Sequence, residues 1–425
     1  MQLIKLFRTK SVSGAIDDIK EKSLRKSFGR IDLILLGIGC IIGTGIFVLT
    51  GIGAAKYAGP GIAISYFVAA CACAFAGLAY AELASTIPVA GSAYTYSYIA
   101  LGEFIAWLVG WGLILEYTFA ASTISVGWSG YMVGILASGG IHIPDYLTKV
   151  PLDGGIINLP AVVIASFIGL LLIKGTKESV IFNRTLVAVK LSAVFIFLIV
   201  AVPHIDVVNY ANFLPFGWHG VMLGASTIFF AYLGFDAVST AAEECKNPQK
   251  DLPIGIIGSL LICTTLYIAV ALVLTGIVNY KTLDNSEPLA YALRANGSNI
   301  GGALVAVGAL AGMTTTLLGM MYAQSRVYFA MSRDGLIPSC FSKIHSKFQT
   351  PHISSIIVTA SVILTAGFTP IYTLSHMANF GTLFAFIIVS IGVLVLRIKK
   401  PELIRHFRCP AIYFTVGAGC LVVVI

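Results

Sequence analysis

Long apolar runs separated by short polar stretches form the dominant pattern of the 425-residue chain. The ten long runs lie at about 31–57, 62–86, 104–134, 157–174, 185–203, 218–243, 253–278, 301–330, 353–369 and 375–396. A membrane-spanning helix needs about 20 predominantly apolar residues. An eleventh run, at 411–425, is shorter and is still apolar where the sequence stops. The pattern predicts an all-α polytopic membrane protein in which further C-terminal helices are truncated.

The first run is interrupted at its centre by four closely spaced glycines, Gly37, Gly39, Gly43 and Gly45. Each glycine lowers helix stability by about 1 kcal/mol relative to alanine. Backbone groups left unpaired in lipid cost several kcal/mol more. We therefore predict a broken helix whose freed backbone groups bind another partner, which in transporters is often the substrate.

A second interruption lies in the sixth run, at 229–236, where the sequence reads Phe-Phe-Ala-Tyr-Leu-Gly-Phe-Asp. Five spans separate the two breaks, and an odd number of spans places two repeats in opposite orientations. Broken helices at matching positions of two halves indicate a transporter binding site. We predict inverted five-helix repeats at 31–203 and 218–396, after a basic N-terminal segment at 1–30. Alternatively, the glycines only permit close helix packing.

The distribution of charge indicates topology. Charged residues make up 11% of the chain, hydrophobic residues make up 57%, and the formal net charge is +8. If the N-terminus is cytoplasmic and the runs alternate in direction, most of the 27 Lys and Arg residues fall on cytoplasmic segments. The basic charge therefore predicts a cytoplasmic N-terminus and argues against a nucleic-acid partner.

The two predicted breaks offer complementary backbone groups. The end of a half-helix presents unpaired carbonyls with partial negative charge, and the start of the next presents unpaired N–H groups with partial positive charge. A zwitterionic amino acid needs both. Thr44 and Gly45, next to Gly43, are the predicted donors to its carboxylate. The carbonyls predicted to face its amine are those of Ile41, Phe230, Ala231 and Leu233.

Three ionisable residues lie at apparent membrane depth, where charged groups are functional candidates. Glu116 is predicted to exchange a proton. Lys190 is predicted to place a fixed cation where related transporters hold sodium. Asp236 lies at the second break, and its alternative role is to cap the following half-helix. Neither a metal nor an organic cofactor is expected, and a structural role remains the alternative for Glu116 and Lys190.

Three further side chains are candidates because of their positions. Phe230 and Tyr267 are predicted gate or pocket residues, although an aromatic residue in a span more often serves packing. Met320 follows the glycine-rich start of the eighth span. Methionine fills irregular cavities, so Met320 is a candidate for the pocket wall.

Several motifs resemble the signatures of one transporter family. The first break at 37–47 and the second at 229–236 resemble those of the amino acid–polyamine–organocation superfamily, as do 88–94, 242–248 and 332–338. Within it, the chain is most similar to bacterial relatives of the cationic amino acid transporters. The resemblance implies a LeuT-like fold in the plasma membrane and proton-coupled import of L-amino acids.

The resemblance also implies roles for individual residues. Glu116 and Lys190 would be tied to the site, with the lysine replacing a sodium ion. Phe230, Asp236 and Tyr267 would belong to the outer gate. The residue matching Met320 lines the pocket and restricts it to smaller side chains, so alanine is favoured over arginine.

Other functions remain open at this point. An exchanger or a cationic amino acid permease has the same fold, whereas Lys190 argues against a sodium symporter. The sequence lacks H-E-x-x-H and G-x-S-x-G, which argues against a membrane enzyme. It also lacks a filter motif such as TVGYG, which argues against a channel. The expected partners are an L-amino acid and the bilayer, and a small membrane protein or a lipid is a further candidate.

Overall fold

The computed structural model describes residues 8–10, 28–89, 92–174, 180–242, 245–346, 348, 350–410, 412, 413, 415 and 417, without the side chains of 180–184. Most of the predicted N-terminal segment and of the eleventh run therefore lies outside the described residues. Within them, β pairing is confined to one bridge between Phe28 and Cys245. The all-α prediction is confirmed.

The helices follow the apolar runs. They are α1 (Arg30–Ile41), α2 (Thr50–Gly53), α3 (Ile62–Thr86), α4 (Ser92–Ala100), α5 (Glu103–Ser138), α6 (Leu159–Lys174), α7 (Val180–Ala201), α8 (Gly217–Ile228), α9 (Ala237–Thr240), α10 (Pro248–Ile277), α11 (Pro288–Ala295), α12 (Asn299–Arg333), α13 (His352–Phe368) and α14 (Ile371–Lys399). Two π-helical segments, Gly45–Leu49 and Ala54–Ala58, flank α2. Short 3₁₀ segments lie at Gly59–Gly61, Asp145–Leu147, Pro151–Asp153, Val202–His204, Val207–Tyr210, Phe229–Tyr232, Tyr280–Leu283 and Ser339–Ser342.

Length and composition allow seven helical segments of the described chain to cross a membrane. They are Gly45–Thr86, Glu103–Ser138, Thr185–His204, Gly217–Thr240, Pro248–Ile277, Asn299–Arg333 and Ile371–Lys399. Two shorter apolar helices, α6 and α13, pack against each other. Together with α1, these segments account for the ten predicted runs.

The longest helix, α5, lies at the centre of the packing and contacts both α12 and α14. A second group forms where α10 packs against α1 and α3. Helix α7 joins the groups, because it contacts α1, α10 and α12. The broken helices therefore lie between packed helices, where their irregular backbone is shielded from lipid.

The first break separates α1 from the π-helical segment that follows it. Ile42 leaves helical geometry with an extended backbone (φ −74°, ψ 106°), and Thr44 returns to it (φ −55°, ψ −28°). The second break follows α8. A 3₁₀ turn at Phe229–Tyr232 leads to an extended Leu233 (φ −58°, ψ 138°), and α9 begins at Ala237. Both predicted interruptions are observed.

Two glycines bring the breaks into contact with each other. A Cβ atom on Gly45 would lie 2.3 Å from the Cα atom of Ala231, so the two backbones touch. Gly234 has a positive φ of 106°, a conformation that favours glycine. A Cβ atom there would lie 2.9 Å from the carbonyl oxygen of Cys40. Larger residues at either position would push the breaks apart.

Candidate substrate site at the paired helix breaks

Lys190 of α7 projects its ammonium group into the first break. Nζ donates to the carbonyl oxygens of Gly39 at 2.6 Å and Ile42 at 3.2 Å, and it lies 3.2 Å from Oγ1 of Thr316 on α12. The side chain is completely buried. Within the described part of the chain, it forms no ion pair with a carboxylate. Its charge is instead stabilised by carbonyl dipoles at the end of α1.

Tyr267 of α10 connects the two breaks. Its hydroxyl lies 3.0 Å from the carbonyl oxygen of Ile41 and 2.9 Å from that of Ala231. The ring is fully buried and packs against Tyr66 and Tyr232, with centroid distances of 5.2 and 5.4 Å. Two carbonyls predicted to face a substrate amine therefore share one phenol hydroxyl in this structure.

Thr44 places an unsatisfied hydroxyl inside the first break. The residue is completely buried, and Oγ1 has no hydrogen-bond partner among the described residues. A buried polar group without a partner costs about 1–3 kcal/mol. The adjacent Gly43 packs against the methyl side of Thr316, and Gly45 lies against Ala231. Thr44 is thus the polar group of the first break that most needs a ligand.

Of the other predicted pocket residues, Phe230 and Leu233 are both buried at the second break. The Phe230 carbonyl accepts a hydrogen bond from the Leu233 N–H at 3.1 Å, so the turn itself uses that carbonyl. Met320 is buried on α12, one turn beyond Thr316. Residues four apart share a helix face, so Met320 lies on the face that Thr316 directs toward the first break.

The carboxylate of Asp236 lies beyond the second break. Oδ2 accepts hydrogen bonds from Ser92 Oγ at 3.1 Å and from Tyr117 Oη at 3.2 Å. Asp236 lies at the start of α9 without a side-chain cap hydrogen bond, and its alternative capping role stays a prediction. Ser92 begins α4, which follows the end of α3, and α3 ends on the side of the molecule where α1 begins. Asp236 therefore lies between the second break and that side of the molecule, and its predicted gate role stays a prediction.

Glu116 is buried on α5, next to Tyr117 in the chain. Its Oε2 has no hydrogen-bond partner within the described part of the chain, and its Cβ faces Gly381 of α14. Tyr117 thus connects the neighbourhood of Glu116 to Asp236. Neither carboxylate is hydrogen bonded to Lys190. The structure therefore separates the predicted ionisable residues into a cation at the first break and a carboxylate pair beyond the second.

Several contacting residues were missed by sequence reasoning. Thr316 bonds both to the break and to Lys190, and Gln324 donates to the Ile114 carbonyl and to Thr118. Tyr66 lies 2.6 Å from the hydroxyl of Thr50 and 3.3 Å from the Gly45 carbonyl. Thr316 and Gln324 lie eight residues apart, on the same face of the apolar helix as Met320. Polar residues that repeat on one face of an apolar helix were the available signal.

Comparison with known proteins agrees with this architecture. Residues 28–425 match the family described as amino acid permease. The chain belongs to this amino acid permease family, so it is a multi-pass membrane transporter and not an enzyme. The resemblance inferred from the motifs is confirmed.

Individual relatives cover most of the chain. It is 48% identical, over 95% of its length and 88% of the relative's, to the methylthioribose transporter of Bacillus subtilis. It is 47% identical, over 98% and 90%, to the branched-chain amino acid permease BcaP of the same organism. It is 40% identical, over 91% and 69%, to the chloroplastic cationic amino acid transporter 9 of Arabidopsis thaliana.

Proposed function

We propose that this protein imports L-amino acids across the plasma membrane, with its N-terminus in the cytoplasm, and binds the zwitterion at the paired breaks. Thr44 and Gly45 donate to the substrate carboxylate. The carbonyls of Ile41, Ala231 and Leu233 accept from its ammonium group. One observation carries this assignment: the contact of Gly45 with Ala231 brings the end of one half-helix beside the start of another.

The substrate amine competes with Tyr267 in this proposal. Its hydroxyl contacts the carbonyls of Ile41 and Ala231, which are two of the proposed acceptors. An ammonium group makes shorter and stronger hydrogen bonds to carbonyls than a neutral hydroxyl does. Substrate therefore displaces the phenol, and Tyr267 closes the site when substrate is absent. Phe230 is the other proposed gate residue.

We propose protons and not sodium as the coupling ion. Lys190 already uses the carbonyls of Gly39 and Ile42, so a second cation at these oxygens would meet a like charge at close range. Glu116 is the proposed proton acceptor, because it is buried and its Oε2 has no partner among the described residues. No metal or organic cofactor is part of this mechanism.

The proposed substrate is a neutral amino acid with an aliphatic side chain. The buried Met320 supports an apolar pocket wall that admits alanine. A relative named as a branched-chain amino acid permease supports somewhat larger aliphatic side chains as well. A cationic amino acid is the second candidate, since Glu116 Oε2 lacks a partner within the described residues and a cationic amino acid transporter is among the relatives.

Uptake of radiolabelled alanine and leucine into proteoliposomes tests the proposal. We expect concentrative uptake under an inward proton gradient without sodium, and its loss when a protonophore is added. Excess unlabelled arginine should compete weakly with alanine. Methylthioribose should also compete weakly, because it has neither an amino group nor a carboxylate. Uptake that requires an amino acid inside the vesicles would favour an exchanger. Strong competition by methylthioribose alone would overturn the zwitterion site.

Replacing Glu116 with Gln removes the proposed proton acceptor and keeps the size of the side chain. We expect loss of proton-driven accumulation, whereas exchange of labelled for unlabelled substrate continues. Glu103→Gln, at the start of the same helix, is the matched control and should accumulate substrate normally. Normal accumulation in the Glu116 variant would remove this residue from coupling.

A further inference from the structure

A groove outside the substrate site lies where α1 and α10 begin. It has a volume of about 510 Å³, and the segment that follows α14 forms its third wall. Arg30, Lys250 and His406 contribute polar lining, whereas Ile254, Ile257 and Phe407 contribute apolar lining. The groove therefore combines a basic part with an apolar part.

The basic part has an excess of positive charge. Lys250 and His406 are exposed, and Arg30 is exposed over 57% of its side chain. None of the described residues that line the groove is acidic. Next to it, Asp32 in the first turn of α1 accepts from the Gly29 N–H, and Oδ1 of Asp251 lies 3.1 Å from Nε of Arg30. The Arg30–Asp251 pair is neutral overall, so the ammonium group of Lys250 makes the net charge of the basic part positive. Such a surface favours an anionic ligand.

The apolar part continues into the membrane. Ile254 and Ile257 lie one turn apart on α10, and Leu261 extends the same face by another turn. Leu261 is 70% exposed, and Ile31 of α1 is 69% exposed. Exposed apolar side chains on a membrane-spanning helix face lipid. The groove thus opens at the membrane surface and leads along α10 toward the acyl chains.

We propose that this groove binds one anionic phospholipid. Its phosphate lies against Lys250 and Arg30, and its acyl chains lie along Ile254 and Ile257. A zwitterionic lipid offers the same chains without net negative charge, so the basic part selects for anionic headgroups. The bound lipid joins the beginning of α1 to α10 and to the segment after α14, and thereby stabilises the end of the molecule where the first broken helix begins.

Lipid titration of the purified protein, followed by native mass spectrometry, tests this site. The probes are palmitoyl-oleoyl phosphatidylglycerol, the matching phosphatidylcholine and sn-glycerol 3-phosphate. We expect phosphatidylglycerol to bind more tightly than the other two. Lys250→Gln should weaken its binding about fivefold, which corresponds to the loss of one lysine near an anionic membrane surface. Lys343→Gln, an exposed lysine outside the groove, should have little effect.

A second pair of variants tests the apolar part. Ile254→Ser should weaken phosphatidylglycerol binding, whereas Ile356→Ser, at another exposed apolar position on α13, should not. If the Lys250 and Lys343 variants lose affinity for phosphatidylglycerol equally, general surface charge explains the binding and the proposed site is wrong. Equal binding of phosphatidylcholine or of sn-glycerol 3-phosphate would overturn the selection for an anionic lipid.

Discussion

A buried ammonium group holds three parts of the candidate site together. Lys190 extends from α7 and bonds to two carbonyls of the first break and to Thr316 of α12. An isolated buried charge is costly unless it is hydrogen bonded. Here the acceptors are oxygens that the break itself releases, so the lysine and the broken helix stabilise each other.

Lys190→Met removes the ammonium group and keeps an unbranched side chain of similar length. We expect at least a tenfold loss of alanine uptake, because hydrogen bonds to charged groups contribute about 1.5–3 kcal/mol each. Proteoliposome uptake and the melting temperature of the detergent-solubilised protein measure the effect. Lys149→Met, in an exposed ion pair with Asp145, is the control. Uptake equal to that of the control would show that the cation is dispensable.

Met320→Ser tests whether this side chain limits the size of the substrate. Shortening it should widen the proposed pocket, so inhibition of alanine uptake by arginine or lysine should strengthen about tenfold, while alanine still binds. Met222→Ser changes an exposed methionine on α8 and should leave selectivity unchanged. If the inhibition pattern stays the same in both variants, another residue sets the size limit.

At the level of the elements, the contact between the two breaks defines the site. The first break bends at Ile42 and the second at Leu233, and both bends are extended residues between helical segments. Gly45 and Gly234 then allow the breaks to meet at van der Waals distance. Each broken helix therefore supports the irregular backbone of the other.

Gly45→Ala tests this contact. The added methyl group would overlap the backbone of Ala231, which cannot move away as a flexible side chain can. We expect loss of uptake and a lower melting temperature. Gly319→Ala places the same methyl group on α12, where nothing lies within 4 Å. That control should keep uptake and be about as stable or more so, since alanine favours helix. Equal uptake and equal melting temperatures in the two variants would contradict a close contact between Gly45 and Ala231.

The breaks were predictable from the sequence, whereas much of their surroundings was not. Clustered glycines in an apolar run are a local signal for the first break, and both breaks occur at the predicted positions. The pairing of Tyr267 with two carbonyls depends on how α10 packs against both broken helices, which no local pattern encodes. The environment of Asp236 was missed for the same reason, because Ser92 and Tyr117 are distant in sequence. The roles proposed for the site residues remain predictions.

On the scale of the whole molecule, the contacts of Glu82 join α3 to the end of α14 and to the segment that follows it. Its buried carboxylate accepts from Arg397 at 2.9 Å and from the Cys409 N–H at 2.8 Å, and Arg405 lies 3.4 Å away. Helices that are far apart in sequence are thus joined at the side of the molecule where α1 begins. The same segment supplies the third wall of the proposed lipid groove.

Glu82→Gln removes the charge at the centre of this cluster. Two arginines would lose their anionic partner, and breaking a buried ion pair costs about 3–5 kcal/mol. We expect a clearly lower melting temperature in detergent. Asp145→Asn breaks an exposed pair with Lys149 and should change stability by about 1 kcal/mol or less. Equal melting temperatures for the two variants would mean that the Glu82 cluster does not hold the molecule together.

Tyr267 has fewer hydrogens to donate than the number of carbonyls that its hydroxyl contacts. A phenol has one hydrogen to donate, yet two carbonyl oxygens lie within its reach. At any instant the hydroxyl can satisfy one of them fully. An ammonium group carries three hydrogens and can serve both at once. The arrival of an amino acid would therefore end a competition between Ile41 and Ala231 for a single proton, because one ammonium nitrogen can donate to both carbonyls.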